Sequence, residues 1–360
     1  MGAGPGSARR AMAAQAAQSV PVDAWLPWLI GTEEPQLIRS GRERLLSDGA
    51  FVHADGSGRR WPAGTFSWPS VAELRRRVEE LPARQEGAAK QAAQLTVVDG
   101  VDIGKLQATL KTEDEAMVQI ASNFNCLENP SRGCPPDYGH LVEGYATDST
   151  QGPAASFGVP AASLLRAHYA FHDPATPPEQ WGQTADRQVD LLEDVRDYFG
   201  RCVNGKATFD GSEDPLRPED VSGVSERIKV GVHVGAQVVF DRGSRTTLRV
   251  LEEPFPVVDQ VLSASVNWYS PGVKPPEEQL VTLTRAALRA AYDGAYLAAI
   301  CRGRRLLLLT LVGGGSFSNP EELILEELAA AHARWASHPA SALEEVRLCL
   351  YPRGAAKWVD

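Results

Sequence analysis

Hydrophobic and polar positions follow a regular order mainly in the C-terminal third of the chain. From Ile228 onward, short apolar runs alternate with longer segments that have helical spacing. The runs predict strands at 228–234, 237–240, 260–266, 306–312 and 346–351, and the longer segments predict helices at 277–301 and 320–335. Because such helices cover both faces of a sheet, the pattern indicates an α/β fold, a three-layer α/β/α sandwich with a mixed, largely parallel central sheet.

The pattern is less regular before residue 228. It predicts a helix at 71–81, a hairpin of 95–98 and 101–103 around Asp99-Gly100, a buried strand at 117–121, a helix at 153–169 and a helix at 187–199. The run from Arg75 to Arg77 is interpreted as a solvated helix face, with nucleic-acid binding as the weaker alternative. Residues 172–227 are rich in loops, which predicts an insertion.

Composition divides the chain into three parts. Residues 1–20 contain two arginines, many alanines and no acid, which predicts a disordered tail and leaves targeting to an organelle open. Residues 21–94 carry four tryptophans among prolines and glycines, which predicts an irregular, partly helical extension. Residues 95–354 form the α/β domain in this division.

Charge and cysteine content limit the class of protein. The net charge of −10 argues against nonspecific binding of nucleic acid, which needs a basic face. Five cysteines without a CxxC pair suit a reducing compartment, so we expect an intracellular protein, cytoplasmic or nuclear. The longest apolar run, 306–312, has the length of a strand, so no membrane association is expected.

The sharpest local signal is the segment 311–320, named the glycine loop from here on. Gly313, Gly314 and Gly315 follow an apolar strand, and glycines there let backbone amides approach an anionic ligand. Asn319 fits the cap of the next helix, with Glu322 as its capping-box partner. The segment lacks the lysine of a P-loop and the GxGxxG of a dinucleotide fold, and a plain flexible turn is the alternative.

Two further polar loops follow predicted strands or precede helices. In the asparagine loop, defined as 122–130, Asn123 and Asn125 suit a ribose or a base edge, although asparagine also satisfies turn backbone. Gln151-Gly152 begins a helix whose free amides suit a pyrophosphate. Asp148 and Glu128 are the carboxylates closest to these loops in sequence, and either could activate a water; an N-cap role for Asp148, Ser149 or Thr150 is the alternative.

The sequence contains no pattern that strongly indicates a metal site or a cofactor site. His168 and His172 have helical spacing but lack the glutamate of HExxH, so we expect them to cap the end of a helix. The other histidines are isolated in sequence, and no Gly-x-Ser-x-Gly elbow of a hydrolase occurs. We therefore predict neither a metal nor a cofactor.

With these loops, the chain resembles the macro domain superfamily of α/β/α modules that bind ADP-ribose and in some members hydrolyse ADP-ribosyl bonds. The resemblance implies contacts of Asn123 and Asn125 with the distal ribose, of 313–316 with phosphates, and of Phe317 with a ribose or base. Individually, the implied phosphate contacts are Gly313, Gly314, Gly315 and Ser316. Gln151-Gly152-Pro153 is the candidate replacement for the first glycine-rich loop of the family, and the double-glutamate signature of poly(ADP-ribose) glycohydrolases is absent.

The leading hypothesis is binding of an ADP-ribose-type nucleotide and hydrolysis at its anomeric carbon, with Asp148 or Glu128 directing water. The alternative is a non-catalytic module that binds ADP-ribose, another nucleotide derivative or an ADP-ribosylated protein. A scaffold whose interaction surface is the tryptophan-rich segment is a third hypothesis.

Overall fold

The computed structural model describes residues 18–84, 91–148, 150–244, 246–269 and 272–351. The strands are β1 Ser19–Pro21, β2 Leu46–Ser47, β3 Ala50–Val52, β4 Arg60–Pro62, β5 Thr65–Ser67, β6 Gln94–Val98, β7 Ala116–Ala121, β8 Arg201–Val203, β9 Lys206–Thr208, β10 Gly231–Gln237, β11 Phe240–Arg242, β12 Thr247–Val250, β13 Val257–Ser263, β14 Leu306–Thr310 and β15 Glu345–Cys349. The helices are α1 Trp25–Ile30, α2 Glu34–Gln36, α3 Arg42–Leu45, α4 Val71–Glu79, α5 Ile103–Thr109, α6 Leu141–Gly144, α7 Gln151–Gly158, α8 Pro160–His168, α9 Arg196–Phe199, α10 Val221–Arg227, α11 Glu277–Cys301 and α12 Glu321–Trp335.

The central sheet has seven strands in the order β5-β10-β13-β7-β14-β15-β6. The β5–β10 and β10–β13 pairings are antiparallel, and the remaining four are parallel. The sheet is therefore mixed and largely parallel, as the sequence pattern predicts. Since β13, β7 and β14 are parallel neighbours, the loops that follow their carboxyl ends lie side by side, which is where such sheets bind ligands.

Helices cover both faces of this sheet. On one face, Gln119 of β7 donates from Nε2 to the carbonyl of Ala291 in α11, at 3.2 Å. On the other face, Gln260 of β13 accepts from Arg166 of α8 and donates to Gln107 of α5. The long helix α11 is buried along most of its length, because small and apolar side chains occupy nearly its whole circumference. These layers confirm the three-layer sandwich.

Several predicted elements are wrong, and each has a local cause. The helix predicted at 153–169 is two helices, because Pro160 has no N–H to donate and disfavours helical backbone at Val159. The hairpin at Asp99-Gly100 does not form. Instead β6 pairs in parallel with β15, and Asp102 caps α5 by accepting from the amides of Gly104 and Lys105.

Other differences concern length and partners. The helix predicted at 187–199 contains a 3₁₀ turn at Glu193–Val195 and the four residues of α9. The strand predicted at 237–240 is absent as such, because 237 ends β10 while β11 pairs with β12 outside the central sheet. The remaining predicted strands and helices are present with ends shifted by a few residues, and α11 has the predicted bounds.

The N-terminal part contributes to the same structure. β1 pairs with β12, although its first residues fall in the predicted tail, whose residues 1–17 lie outside the described residues. Trp25 and Trp61 are buried in a second hydrophobic core. α4 begins with a capping box between Ser70 and Glu73. Among the described residues, no helix combines the length and hydropathy that a membrane span requires.

Candidate functional site

A cavity of about 860 Å³ opens where the loops after β7, β13 and β14 meet the start of α7. Most of the predicted site residues line it: Asn123, Glu128, Asp148, Gln151, Gly152, Gly313, Gly314, Gly315, Ser316 and Phe317. Asn125 is fully buried and is not among the lining residues. Three segments that are distant in sequence therefore converge on one cavity, whose size suits a nucleotide-sized ligand.

The glycine loop keeps several of its backbone donors unused within the described residues. Gly313 has a φ of 78°, a conformation that side chains disfavour. The amide of Gly314 donates back to Leu311, and that of Ser318 donates to Gly315. Within the described residues, four other amides have no acceptor, those of Gly313, Gly315, Ser316 and Phe317. A cluster of unpaired N–H groups at a cavity forms a seat for an anion.

The predicted cap of α12 is wrong. The N-cap position is Pro320, and no side chain caps the helix start. Asn319 instead points its amide away from the helix, and its Nδ2 donates to the carbonyl of Val266 at 2.7 Å. The hydrogen bond joins the glycine loop to the loop after β13. The side chain of Asn319 therefore links two walls of the cavity and does not cap α12.

The asparagine loop uses its side chains internally. Asn123 donates from Nδ2 to the carbonyl of Leu127 at 2.7 Å. Asn125 donates to Asn129 and Gln188, and its Oδ1 accepts from the amide of Leu127. The turn-satisfying alternative thus describes both amide groups, and Asn125 acts as an internal brace of the loop.

A hairpin inside the predicted insertion adds a basic residue to the cavity. β8 and β9 are joined by Asn204-Gly205, both at positive φ, which is the preferred two-residue turn of a hairpin. The carbonyl of Gly205 accepts from Phe124 in the asparagine loop at 2.8 Å. The next residue, Lys206, lines the cavity and donates to the carbonyl of Asn129. The Asn204-Gly205 pair is the feature of the sequence that indicates this hairpin.

Glu128 is the most perturbed acid of the cavity. Burial raises the pKa of its carboxyl to about 8, with Asp148 adding to the rise and with Ser122, Arg166 and Lys206 opposing it. Its Oε1 has no hydrogen-bond partner among the described residues. The raised pKa therefore favours the protonated carboxyl at neutral pH, and one of its oxygens is unengaged within the described residues.

Gly152 makes room for this carboxyl group. A Cβ at position 152 would collide with Oε2 of Glu128 and with the carbonyl of Ala121. The first turn of α7 can therefore approach β7 and Glu128 closely only with glycine there. The neighbouring Gln151 lines the cavity, and its Nε2 has no partner within the described part of the chain.

Asp148 has a local structural role. Its Oδ1 accepts from both the amide and the hydroxyl of Thr150, at 2.7 and 2.6 Å. The N-cap of α7 is Thr150, whose side chain makes no capping bond, and Ser149 lies outside the described residues. Asp148 thus forms the turn before α7 at the wall of the cavity.

Lys206 is the one basic side chain among the described residues that line the cavity. It is 8% exposed, and burial lowers the pKa of its ammonium to about 8. Ser265 and Asn267 after β13 and Tyr351 after β15 also line the cavity and were missed, because isolated polar residues in loops give no distinctive pattern.

The predicted histidine pair does not act as a helix cap. His168 is buried, and its Nε2 lies 2.8 Å from Oε1 of Glu34. The ring of His172 packs edge-on against Trp181. No cluster of three potential metal ligands occurs within the described residues.

Comparisons with known proteins give likeness in shape alone. No family model and no curated protein matches the chain. Poly(ADP-ribose) glycohydrolase from Thermomonospora curvata matches at 17% identity and a TM-score of 0.44, covering 90% of this chain and 96% of that one. The enzyme from Deinococcus radiodurans in complex with ADP-ribose matches at 12% identity and a TM-score of 0.43, covering 81% and 89%. At these values the likeness supports no conclusion about this chain.

Proposed function

We propose that this chain is a divergent macro domain-like module that binds an ADP-ribose-type nucleotide and hydrolyses a glycosidic bond at its anomeric carbon. The observation that carries the proposal is the position of Glu128, a carboxyl whose pKa is raised by burial, in the same cavity as a cluster of backbone amides that are unpaired within the described residues. A nucleotide attached through its ribose combines these two needs, since it has phosphates to bind and a glycosidic oxygen to protonate.

The glycine loop is the proposed phosphate seat. The amides of Gly313, Gly315 and Ser316 are available as donors, and backbone donors bind phosphate without adding a formal charge to the cavity. Phe317 at the end of this row offers a ring to a ribose or base. At the other end, Asn123 lies beside the proposed distal ribose, while Asn125 stiffens the loop from behind rather than touching the ligand.

Glu128 is the proposed general acid and base. In its protonated form it gives its proton to the oxygen that leaves the anomeric carbon, and the resulting carboxylate then takes a proton from the attacking water. A carboxyl whose pKa is raised by burial is suited to this role near neutral pH. Asp148, whose Oδ1 is engaged by Thr150, supports the turn and is not required for proton transfer.

The decisive experiment compares Glu128→Gln with Asp148→Asn. Glutamine keeps the shape of the Glu128 side chain but cannot exchange a proton, so turnover of ADP-ribosylated peptides or polymer falls by a factor on the order of 10²–10⁴. Affinity for ADP-ribose, measured by calorimetry, stays within about threefold, because the phosphate seat is untouched. Asp148→Asn keeps the Oδ1 acceptor, so it retains most of the turnover.

Two outcomes would count against the proposal in different ways. Absence of measurable ADP-ribose binding by the wild-type chain at millimolar ligand would contradict the ligand assignment. Binding without turnover of any serine-linked, carboxylate-linked or polymeric substrate would favour the non-catalytic module, whose partner is then an ADP-ribosylated protein.

A further inference from the structure

Ser265 is a buried residue of the cavity whose hydroxyl is unpaired. It lies just after β13, is 1% exposed and lines the cavity. Its Oγ makes no hydrogen bond to any residue that the structure describes. Buried hydroxyl groups nearly always have a partner, because an unpaired one costs the protein stability. The exception at a cavity wall points to a partner that arrives with the ligand.

The loop that carries Ser265 is hydrogen-bonded to two other parts of the structure, the glycine loop and α11. The carbonyl of Val266 accepts from Asn319, and the amide of Trp268 donates to the carbonyl of Phe317 at 3.1 Å. The indole of Trp268 donates to Thr284 of α11 at 2.9 Å. The backbone on the C-terminal side of Ser265 is thus fixed to the glycine loop and to a buried helix, which favours a preformed position for the hydroxyl.

Ser265 is also the neighbour of Gly313. A Cβ built on Gly313 would lie 3.0 Å from the Cβ of Ser265. Gly313 and Ser265 are therefore neighbouring residues of the cavity, and within the described residues the amide of one and the hydroxyl of the other have no partner. Two adjacent donors of this kind match one phosphoryl oxygen group.

We propose that Ser265 is a phosphate-binding residue, whose Oγ donates a hydrogen bond to a phosphoryl oxygen of the nucleotide seated at Gly313. The inference rests on the proposed function and deepens it by adding a side-chain donor from a second loop to the backbone donors of the glycine loop. Phosphate recognition then depends on the two loops staying together, and the link between Asn319 and Val266 serves this purpose.

The chain offers a matched control in Thr310. Its Oγ1 is also buried and unpaired among the described residues, and it ends β14 directly before the glycine loop. Unlike Ser265, it is not among the residues that line the cavity. Thr310→Val therefore removes a comparable hydroxyl without removing a donor that faces the ligand.

The test measures affinity and thermal stability of Ser265→Ala and Thr310→Val. Ser265→Ala should weaken both ADP-ribose and inorganic pyrophosphate about tenfold in calorimetry, which is about 1.4 kcal/mol. Its Tm without ligand should be equal to or higher than that of the wild type, because an unsatisfied hydroxyl is removed. Thr310→Val should leave both affinities within about twofold.

Unchanged affinity of Ser265→Ala for either ligand would overturn the inference. A lower Tm than that of the wild type would also overturn it, because it would reveal a structural role for the hydroxyl. A loss for ADP-ribose but not for pyrophosphate would also overturn it, since the contact would then not be with phosphate. The proposed function fails separately, when the wild-type chain itself does not bind ADP-ribose.

Discussion

The asparagine loop and the glycine loop follow parallel strands of one sheet, yet they use their hydrogen-bonding groups in opposite ways. In the asparagine loop, the side-chain amide groups of Asn123 and Asn125 donate hydrogen bonds to other residues of the protein. In the glycine loop, backbone amides around Gly313 and Ser316 remain without acceptors among the described residues. The asparagine amide groups of the first loop therefore serve rigidity and the backbone amides of the second serve binding, although both loops are polar segments after a buried strand.

Gly313→Ala should give the largest effect, because it alters the backbone of the loop that is proposed to bind phosphate. Alanine at position 313 would have to adopt a positive φ, and its Cβ would collide with Oδ1 of Asn319. We expect a loss of about 2 kcal/mol of unfolding free energy and at least tenfold weaker ADP-ribose binding. Gly315→Ala is the control, since a Cβ there meets nothing within 4 Å. Equal behaviour of the two variants in denaturation and calorimetry would contradict the comparison.

Asn125→Ala should damage stability more than binding. The change leaves Asn129, Gln188 and the amide of Leu127 without their partner. A loss of about 2 kcal/mol in the unfolding free energy is expected, since buried polar groups become unsatisfied. Affinity for ADP-ribose should fall less than threefold when measured well below the Tm. A variant of unchanged stability with much weaker binding would instead make Asn125 a ligand contact.

The pH dependence of hydrolysis tests the carboxyl group of Glu128, which the asparagine loop carries. If protonated Glu128 is the acid, the rate holds below its pKa of about 8 and falls as the pH rises through that value. Lys206→Met removes a positive charge that favours the carboxylate, so the falling limb should move to higher pH, by roughly one unit or less. Lys206→Arg keeps a positive charge even where the lysine loses its proton near pH 8, so the limb should stay in place or move to lower pH. A shift to lower pH in Lys206→Met would rule out this coupling.

Ser316→Ala should have the smallest effect. The glycine loop is proposed to bind through backbone amides, and alanine at position 316 retains the amide. We expect ADP-ribose affinity within about twofold of the wild type, because only a side-chain hydroxyl is lost. A tenfold loss in the same titration would mean that the hydroxyl, and not the backbone, is the donor at this position.

The sequence predicts the central sheet and its long helices well, because the spacing of apolar residues along a segment indicates which side of it is buried. The bounds of α11 and the convergence of the three polar loops follow from apolar spacing and from parallel strand order. The break at Pro160 and the Asn204-Gly205 hairpin were also available from local signals. Apolar periodicity alone does not contain these two signals, so it predicts one helix where there are two and does not predict Lys206 as a site residue.

Other parts of the site depend on contacts that no local pattern encodes. The raised pKa of Glu128 results from burial against the first turn of α7, and the unpaired hydroxyl of Ser265 lies in a loop that Asn319 fixes at Val266. Asn319 itself has the composition of a helix cap but makes a bond across the cavity. Local propensity and tertiary contacts compete at such positions, and the tertiary contact prevails here.

The two edge strands of the central sheet are consecutive along the chain. β5 pairs with β10 at one edge, and β6 pairs with β15 at the other. Phe66 therefore meets His233 about 170 positions later, and separations of this size slow folding because a long loop must close before the contact forms. During synthesis, β5 and β6 leave the ribosome long before either partner exists. Both remain unpaired edges until most of the chain has been made, which exposes this protein to aggregation while it is being synthesised.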